Sequence, residues 1–247
     1  KINFLSTAFD LRSIDFLKKL KMDFFKIPSG EITNLPYLSK IGKLKKKVII
    51  STGMSTMKEI GNALKILIKN GTSKKNITVM QCNTEYPTPI KDVNLKAMDS
   101  IKNKFKVNVG YSDHTLGTEV SLWAVAMGAK IIEKHFTLDK KFSKFRDHHL
   151  SADPKDLKEM VIKIRRIEKI LGHGRIEIQE CEKDSLIQSR RSLALSKTVS
   201  KNYIIKKKDL IRVRPATGFS KNKELVGKKI LKNLSKGSLI KNEFLGK

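Results

Sequence analysis

Six times along this chain a short β-type run ends in small polar or charged residues and gives way to a helical pattern, and that repetition narrows the fold more than any other feature. The runs are Ile2–Thr7, Phe24–Ser29, Lys47–Ser51, Ile77–Asn83, Lys106–Asp113 and Lys130–His135, at intervals of roughly 21 to 30 residues. Apolar residues at helical spacing predict helices near Ser13–Met22, Asn34–Leu44, Thr56–Asn70, Leu95–Phe105, Leu116–Ala129 and Asp153–Leu171. Strands joined through a crossover helix run parallel. Two folds house such a series, the doubly wound open sheet and the (β/α)8 TIM barrel. No GxGxxG or GxxxxGK(S/T) follows any run, which speaks against a nucleotide-binding open sheet. Residues suited to chemistry end every run, where barrel enzymes carry their sites. Six units do not close an eight-stranded barrel, and the chain opens on Lys1-Ile2-Asn3 without Met. The expectation is therefore an α/β barrel lacking two N-terminal units.

The last predicted helix is sharply bounded. Asp153-Pro154 is an N-cap followed by proline, Leu157, Met160, Val161, Ile164, Ile167 and Leu171 recur at helical spacing, and Gly172 stops the pattern. From Arg190 onward the segments are short and β-rich, with turn signals at Ser200-Lys201-Asn202, Pro215-Ala216-Thr217-Gly218 and Ser235-Lys236-Gly237. The organisation predicted is a barrel domain over residues 1–172, a linker over 173–185 and a small β-rich domain over 186–247.

A formal net charge of +28 raises the question of nucleic acid. Only nine of the 52 basic residues are Arg, however, and the lysines are scattered over helix faces instead of forming one tract interleaved with aromatics. No nucleic-acid partner is expected, although a basic surface of this kind steers anionic substrates. The rival reading is a basic polyanion-binding fragment without catalysis, using the stretch from Leu186 to Lys247, where 17 Lys and Arg face three Asp and Glu. No apolar run approaches the roughly 18 residues of a spanning helix. The two cysteines, Cys82 and Cys181, stand far apart in no CxxC spacing, which suits a reducing cytoplasm.

Chemistry concentrates at the strand ends. Ser6-Thr7, Ser29-Gly30-Glu31 and Ser51-Thr52-Gly53 repeat one device, hydroxyls and a glycine just before a helix, which suits a phosphate or carboxylate and also ordinary helix capping. Lys26 lies inside the apolar run Phe24-Phe25-Lys26-Ile27, and in a buried parallel strand its ammonium turns toward a polar centre, where it would pair with an anion. Asn83-Thr84-Glu85-Tyr86 offers hydrogen bonds to a polyhydroxylated ligand, with Pro87 and Pro89 stiffening the loop. His114 and His135 end successive strands. Alternation puts Ser112 with His114 on one face and Glu133 with His135 on one face, and adjacent strands lie about 4.8 Å apart, so two imidazoles can share one divalent metal. Two protein ligands leave positions open for water or substrate oxygens.

These residues, together with their order, resemble the N-acetylneuraminate (sialic acid) synthase family. The segments that carry the resemblance are Phe25–Asn34, Ser51–Ser55, Asn83–Pro89, Gly110–Thr115 and Glu133–Thr137, and the tail with Arg190-Arg191-Ser192-Leu193 and Val213–Gly218 is similar to that family's C-terminal antifreeze-like (SAF) domain. The resemblance implies a cytoplasmic enzyme, a domain-swapped homodimer, that condenses phosphoenolpyruvate with N-acetylmannosamine to N-acetylneuraminate and phosphate. It implies Mn²⁺, or Mg²⁺ or Co²⁺, on His114 and His135. Phosphoenolpyruvate would lie against Thr7, Lys26, Ser29, Ser51, Thr84 and Ser112. The amino sugar would meet Tyr86, Asp147 and Arg214, with Arg214 arriving from a second subunit. Glu31 and Glu133 are candidates either to handle protons or to support the metal ligands from behind, roles the sequence does not separate. Thr84 stands where some members have Asn, and Phe145-Arg146-Asp147-His148-His149-Leu150 replaces the commoner Gly-Pro-Asp loop. Sister enzymes that make legionaminate or pseudaminate are the alternatives.

Overall fold

The structure, a computed structural model, describes residues 2–144 and 147–246. Phe145 and Arg146 of the loop singled out above lie outside the described residues. The chain divides into two units, one ending at His173 and one beginning at Gly174.

In the first unit a five-stranded parallel sheet curls in sequential order, β1 (Phe24–Ile27), β2 (Lys47–Ser51), β3 (Ile77–Cys82), β4 (Asn108–Asp113) and β5 (Ile132–Lys134). Sequential order is barrel-like, since a doubly wound sheet reverses direction at its switch point. The helices are α1 (Leu11–Lys19), α2 (Leu35–Lys43), α3 (Met57–Lys69), α4 (Ala97–Phe105), α5 (Glu119–Ala126) and α6 (Pro154–Leu171). Why they form is visible in α3. Thr56 caps it in a reciprocal capping box with Glu59, and Ile60, Ala63, Leu64 and Leu67 bury one face. That face packs on a sheet whose central strand β3 is buried along its whole length. Each fully buried Leu or Ile contributes about 1.5–3 kcal/mol.

Three expectations need correction. Ile2–Thr7 forms no strand, so the first unit has five strands instead of six among the described residues. A β-type run becomes a strand only when a neighbour completes its ladder, and here Ile2 and Phe4 are exposed and unpaired with β1. Residues 116–118 are a turn, with Gly117 at φ +73°, so α5 starts three residues later than its apolar pattern suggests. In α6, Asp153 caps and Gly172 adopts φ +56° as its sequence signals imply, but of the predicted apolar face only Met160 is fully buried, while Val161 and Leu171 remain exposed.

The second unit holds α7 (Lys183–Ser189), which begins inside the stretch expected as a linker, and an antiparallel pair, β6 (Ser192–Leu195) with β7 (Leu210–Val213). Single bridges such as Val199 with Leu234 and Ile230 with Leu245 extend the β character. Leu193, Leu195, Val199, Ile205, Leu225, Ile230, Ile240 and Phe244 form its core. Among the described residues no helix is long and apolar enough to cross a membrane.

Candidate active site

Side chains from the C-terminal ends of all five strands converge on one cavity of about 360 Å³. Thr7, Lys26, Ser29, Ser51, Thr84, Tyr86, Ser112, His114, Glu133 and His135 all line it. A larger cavity of 510 Å³ in the second unit gathers far fewer titratable side chains, so chemistry, not size, selects the site.

Lys26 is almost buried in β1, and its Nζ donates to both carboxylate oxygens of Glu133 at 2.8 Å, across the full width of the sheet. Ser112 Oγ donates to Glu133 Oε1 at 2.7 Å. An anion therefore already sits where donors from β1 and β4 meet. Glu133 remains 41% exposed, so this pair faces the cavity instead of being sealed in the core. Ser51 is 2% exposed, and its hydroxyl has no hydrogen-bond partner among the described residues. A buried hydroxyl costs free energy until something bonds to it, which suits a ligand oxygen. Ser29 Oγ accepts from Gly53 N at 3.0 Å. A side chain at Gly53 would collide with Thr84 Oγ1 at 2.1 Å and Ser29 Oγ at 2.9 Å, so the glycine permits both hydroxyls to close on the backbone. Tyr37 OH donates to Ala8 O at 2.6 Å and fixes the irregular segment that brings Thr7 to the cavity wall.

The two imidazole centroids are 5.2 Å apart. His114 Nδ1 donates to Asn83 O at 2.6 Å, which leaves the Nε2 lone pair for a ligand. Burial, with a smaller push from His135, holds the His114 pKa below its ordinary value and so favours the neutral ring that binds metals. His135 Nδ1 lies 3.6 Å from Asp147 Oδ2, beyond hydrogen-bond reach but close enough for the carboxylate to favour a proton on that nitrogen. Among the described residues no three His, Cys, Asp or Glu side chains form a metal cage. Two imidazoles at this separation, one with Nδ1 hydrogen-bonded and the other with Nδ1 beside a carboxylate, fit a divalent ion whose other ligands are water or substrate. Tyr86 packs over both rings, with centroids at 4.1 Å and 5.7 Å, and burial raises its pKa.

Of the expected residues, Asp147 stands beside His135 without lining the cavity, and two more lie elsewhere. Glu31 sits in a single 3-10 turn after β1, where it accepts from Asn34 Nδ2 at 2.6 Å and does not line the cavity. Arg214 belongs to the second unit, where its Nε donates to Ser189 O at 2.7 Å. Gly30, from the Ser29-Gly30-Glu31 motif, also lines the cavity, and Phe9, Pro28, Met54 and Cys82 line it without having been anticipated. Met54 carried a signal in its place beside Gly53, and it adopts φ +59°. Cys82 Sγ is buried, and that burial raises its pKa and keeps it a thiol.

On the opposite face of β4 and β5, Asp113 is fully buried and accepts from Thr115 N, Thr115 Oγ1 and Ser121 Oγ at 2.6–2.8 Å. Lys134 Nζ lies 3.3 Å from its Oδ2 and also donates to Thr115 O. Burial pushes the Lys134 pKa down, and Asp113 pulls it back.

Residues 1–176 match the NeuB family and residues 190–245 match the SAF domain. The chain is 50% identical over 242 residues to an N,N'-diacetyllegionaminic acid synthase of Campylobacter jejuni, covering 97% of this chain and 72% of that one. It is 32% identical to the human N-acetylneuraminate-9-phosphate synthase over 251 residues, covering 99% of this chain and 68% of that one. Among solved structures it is similar to an N-acetylneuraminic acid synthetase from Leptospira borgpetersenii in complex with citrate, with a TM-score of 0.68, 37% identity, and coverage of 73% of this chain and 62% of that one. With the ordered motifs, the half-barrel and its shared cavity now in view, the chain belongs to the NeuB family and carries a SAF domain in its C-terminal part.

Proposed function

We propose that this chain is the greater part of a nonulosonate synthase, which joins phosphoenolpyruvate to an N-acetylated amino sugar and releases phosphate. The observation that carries the reading is the Glu133 carboxylate seated on Lys26 and Ser112 beside a pair of imidazoles, a ready place for a substrate anion next to a place for a metal. The five strands are by this reading part of a (β/α)8 barrel, and the working protein is a cytoplasmic domain-swapped homodimer in which Arg214 of one subunit serves the other's sugar site.

His114 and His135 would hold a divalent ion, Mn²⁺ by our reading, whose chemistry is Lewis-acid polarisation of the sugar's aldehyde oxygen. Lys26, Ser29, Ser51, Thr84, Ser112 and Thr7 bind the phosphate and carboxylate of phosphoenolpyruvate, and the incoming anion displaces Glu133 from Lys26. Tyr86 and Asp147 orient the sugar so that its aldehyde carbon meets the enol carbon and the new C–C bond forms. Water adds to the cationic carbon left behind and gives one proton to the freed Glu133 carboxylate, from which it passes to the alkoxide made from the aldehyde. The hemiketal hydroxyl then becomes the ketone as the carbon–oxygen bond to phosphate breaks, and phosphate leaves with the bridging oxygen, the bonding electrons and the second proton. Glu31 can share this work only after its bond to Asn34 opens.

Neuraminate is the product expected from the motifs, but 50% identity to a diacetyllegionaminate synthase against 32% to a neuraminate-9-phosphate synthase moves the proposal toward a sugar with two acetamido groups. The apolar side chains of Phe9 and Met54 on the cavity wall suit acetamido methyls. The test is phosphate release from phosphoenolpyruvate with Mn²⁺, in a chain extended to the full length of its relatives. Release with a diacetamido hexose exceeding that with N-acetylmannosamine is expected, and its loss in His114→Ala while the circular dichroism is unchanged. Release with neither sugar would sink the assignment.

A further inference from the structure

Asp113 and Lys134 are register partners on β4 and β5, and each is the immediate neighbour of a cavity histidine. Alternation turns the histidines into the cavity and turns this pair to the other face, where both side chains are sealed, at 0% and 3% exposure. The hydrogen bonds of the pair are specific in where they lead. Asp113 grips Thr115 through both its N–H and its hydroxyl, so the residues on either side of His114 are tied to each other. Its second oxygen takes Ser121 of α5 and Lys134 of β5, and Lys134 in turn reaches the carbonyl of Thr115. Strand end, turn, helix and neighbouring strand thus meet at one dry node, directly behind the two rings.

We propose that Asp113, Lys134 and Ser121 are positioning residues that set the separation and tilt of His114 and His135, so that both Nε2 atoms reach one ion. This inference rests on the histidine-pair reading above. An ion bound by only two protein ligands has little other means of enforcing their geometry, so the sheet must supply it in advance. The main-chain supports of the histidines, Thr88 N on His114 O at 2.9 Å and Ala152 N on His135 O at 2.8 Å, fix each segment to its own surroundings. Beyond the β4–β5 backbone ladder, the sealed node is the side-chain link on this face of the sheet between the segment of one histidine and that of the other, among the described residues.

Lys134→Met separates β5 from the β4–α5 turn while leaving Asp113 its three neutral donors. Mn²⁺ titration followed by the electron paramagnetic resonance of the free ion is expected to show affinity falling about 10- to 100-fold, the range seen when groups behind metal ligands are removed. Ser121→Ala, a smaller change that keeps the ion pair, is expected to weaken Mn²⁺ binding in the same direction and by less. It provides the measurement if Lys134→Met does not fold. Lys163→Met, which removes an exposed ion pair with Glu159 on α6, is the control and leaves Mn²⁺ affinity unchanged. A parent chain that binds Mn²⁺ through His114, with affinity retained within twofold in whichever of the two variants folds, would make the node a folding staple and overturn the proposal. A parent that binds no Mn²⁺, or binds it equally as His114→Ala, removes the histidine-pair reading itself and this inference with it.

Discussion

Two lysines on the same sheet pair with carboxylates in opposite ways. Lys26 on β1 reaches Glu133 across an open cavity, and the carboxylate partner keeps 41% of its exposure. Lys134 on β5 meets Asp113 where neither side chain has more than 3%. The first pair can exchange its anion for another, because its carboxylate faces an open cavity, and a pair reached by water at one end contributes less than a sealed one. The second cannot, because breaking a dry pair strands a charge in a place that cannot solvate it. One sheet thus uses the same chemistry as a replaceable plug on its inner face and as a fixed rivet on its outer face.

The sharpest way to break this comparison is Lys26→Met. Phosphate release should fall by about 10²–10³-fold, the loss typical of removing one donor to developing or bound negative charge. The urea midpoint should barely move. A variant that unfolds but keeps its activity per folded molecule would reverse the roles assigned to the two pairs. The next largest effect concerns stability. Asp113→Asn should lower the unfolding free energy by about 3–5 kcal/mol, and Glu133→Gln by no more than about 1 kcal/mol, measured by urea titration of ellipticity. Equal losses would erase the distinction. The smallest effect extends it to the second unit, where Asp209 is almost fully buried while its partner Lys197 is half exposed. Burial pushes the Asp209 pKa up, but bonds from Lys206 N, Tyr203 OH and Lys197 outweigh it and hold the carboxyl below its ordinary value. A depressed carboxyl stabilises the fold above its unfolded pKa, near 3.9, and that contribution is lost as pH falls through the lower folded value. Melting temperatures should therefore drop below about pH 4, with a shallower drop in Asp209→Asn. Identical pH slopes would count against a sealed carboxylate in this unit.

Much of the inner face was legible in the sequence because alternation is a local rule. Lys26 inside an apolar run, and Ser112, His114, Glu133 and His135 at two-residue spacing, needed only the strand period to be assigned to one cavity. What alternation does not reveal is partnership. That Asp113 opposes Lys134, and that Lys26 reaches Glu133 over a sequence separation of 107 residues, follows from register and curl, which the chain specifies only through its whole core. The Ile2–Thr7 run misled for the same reason, since its β-type composition says nothing of whether a neighbouring strand is there to pair with it. Glu31 fell one turn outside the cavity because the backbone after Ile27 tightens into a 3-10 turn that its Ser-Gly-Glu sequence does not distinguish from a helix start. Cys82 was set aside on cysteine spacing, which bears on disulfides and zinc but not on whether a single thiol faces a pocket.

β5 is only three residues long, and Glu133, Lys134 and the adjoining His135 alternate between plug, rivet and ring. Its meaning therefore lies in parity. A substitution there alters one of these parts, but losing or gaining a single residue would turn the ammonium into the cavity and the imidazole into the dry face, exchanging wall for workshop at a stroke. This short stretch should accept changes of letter far more readily than any change of length.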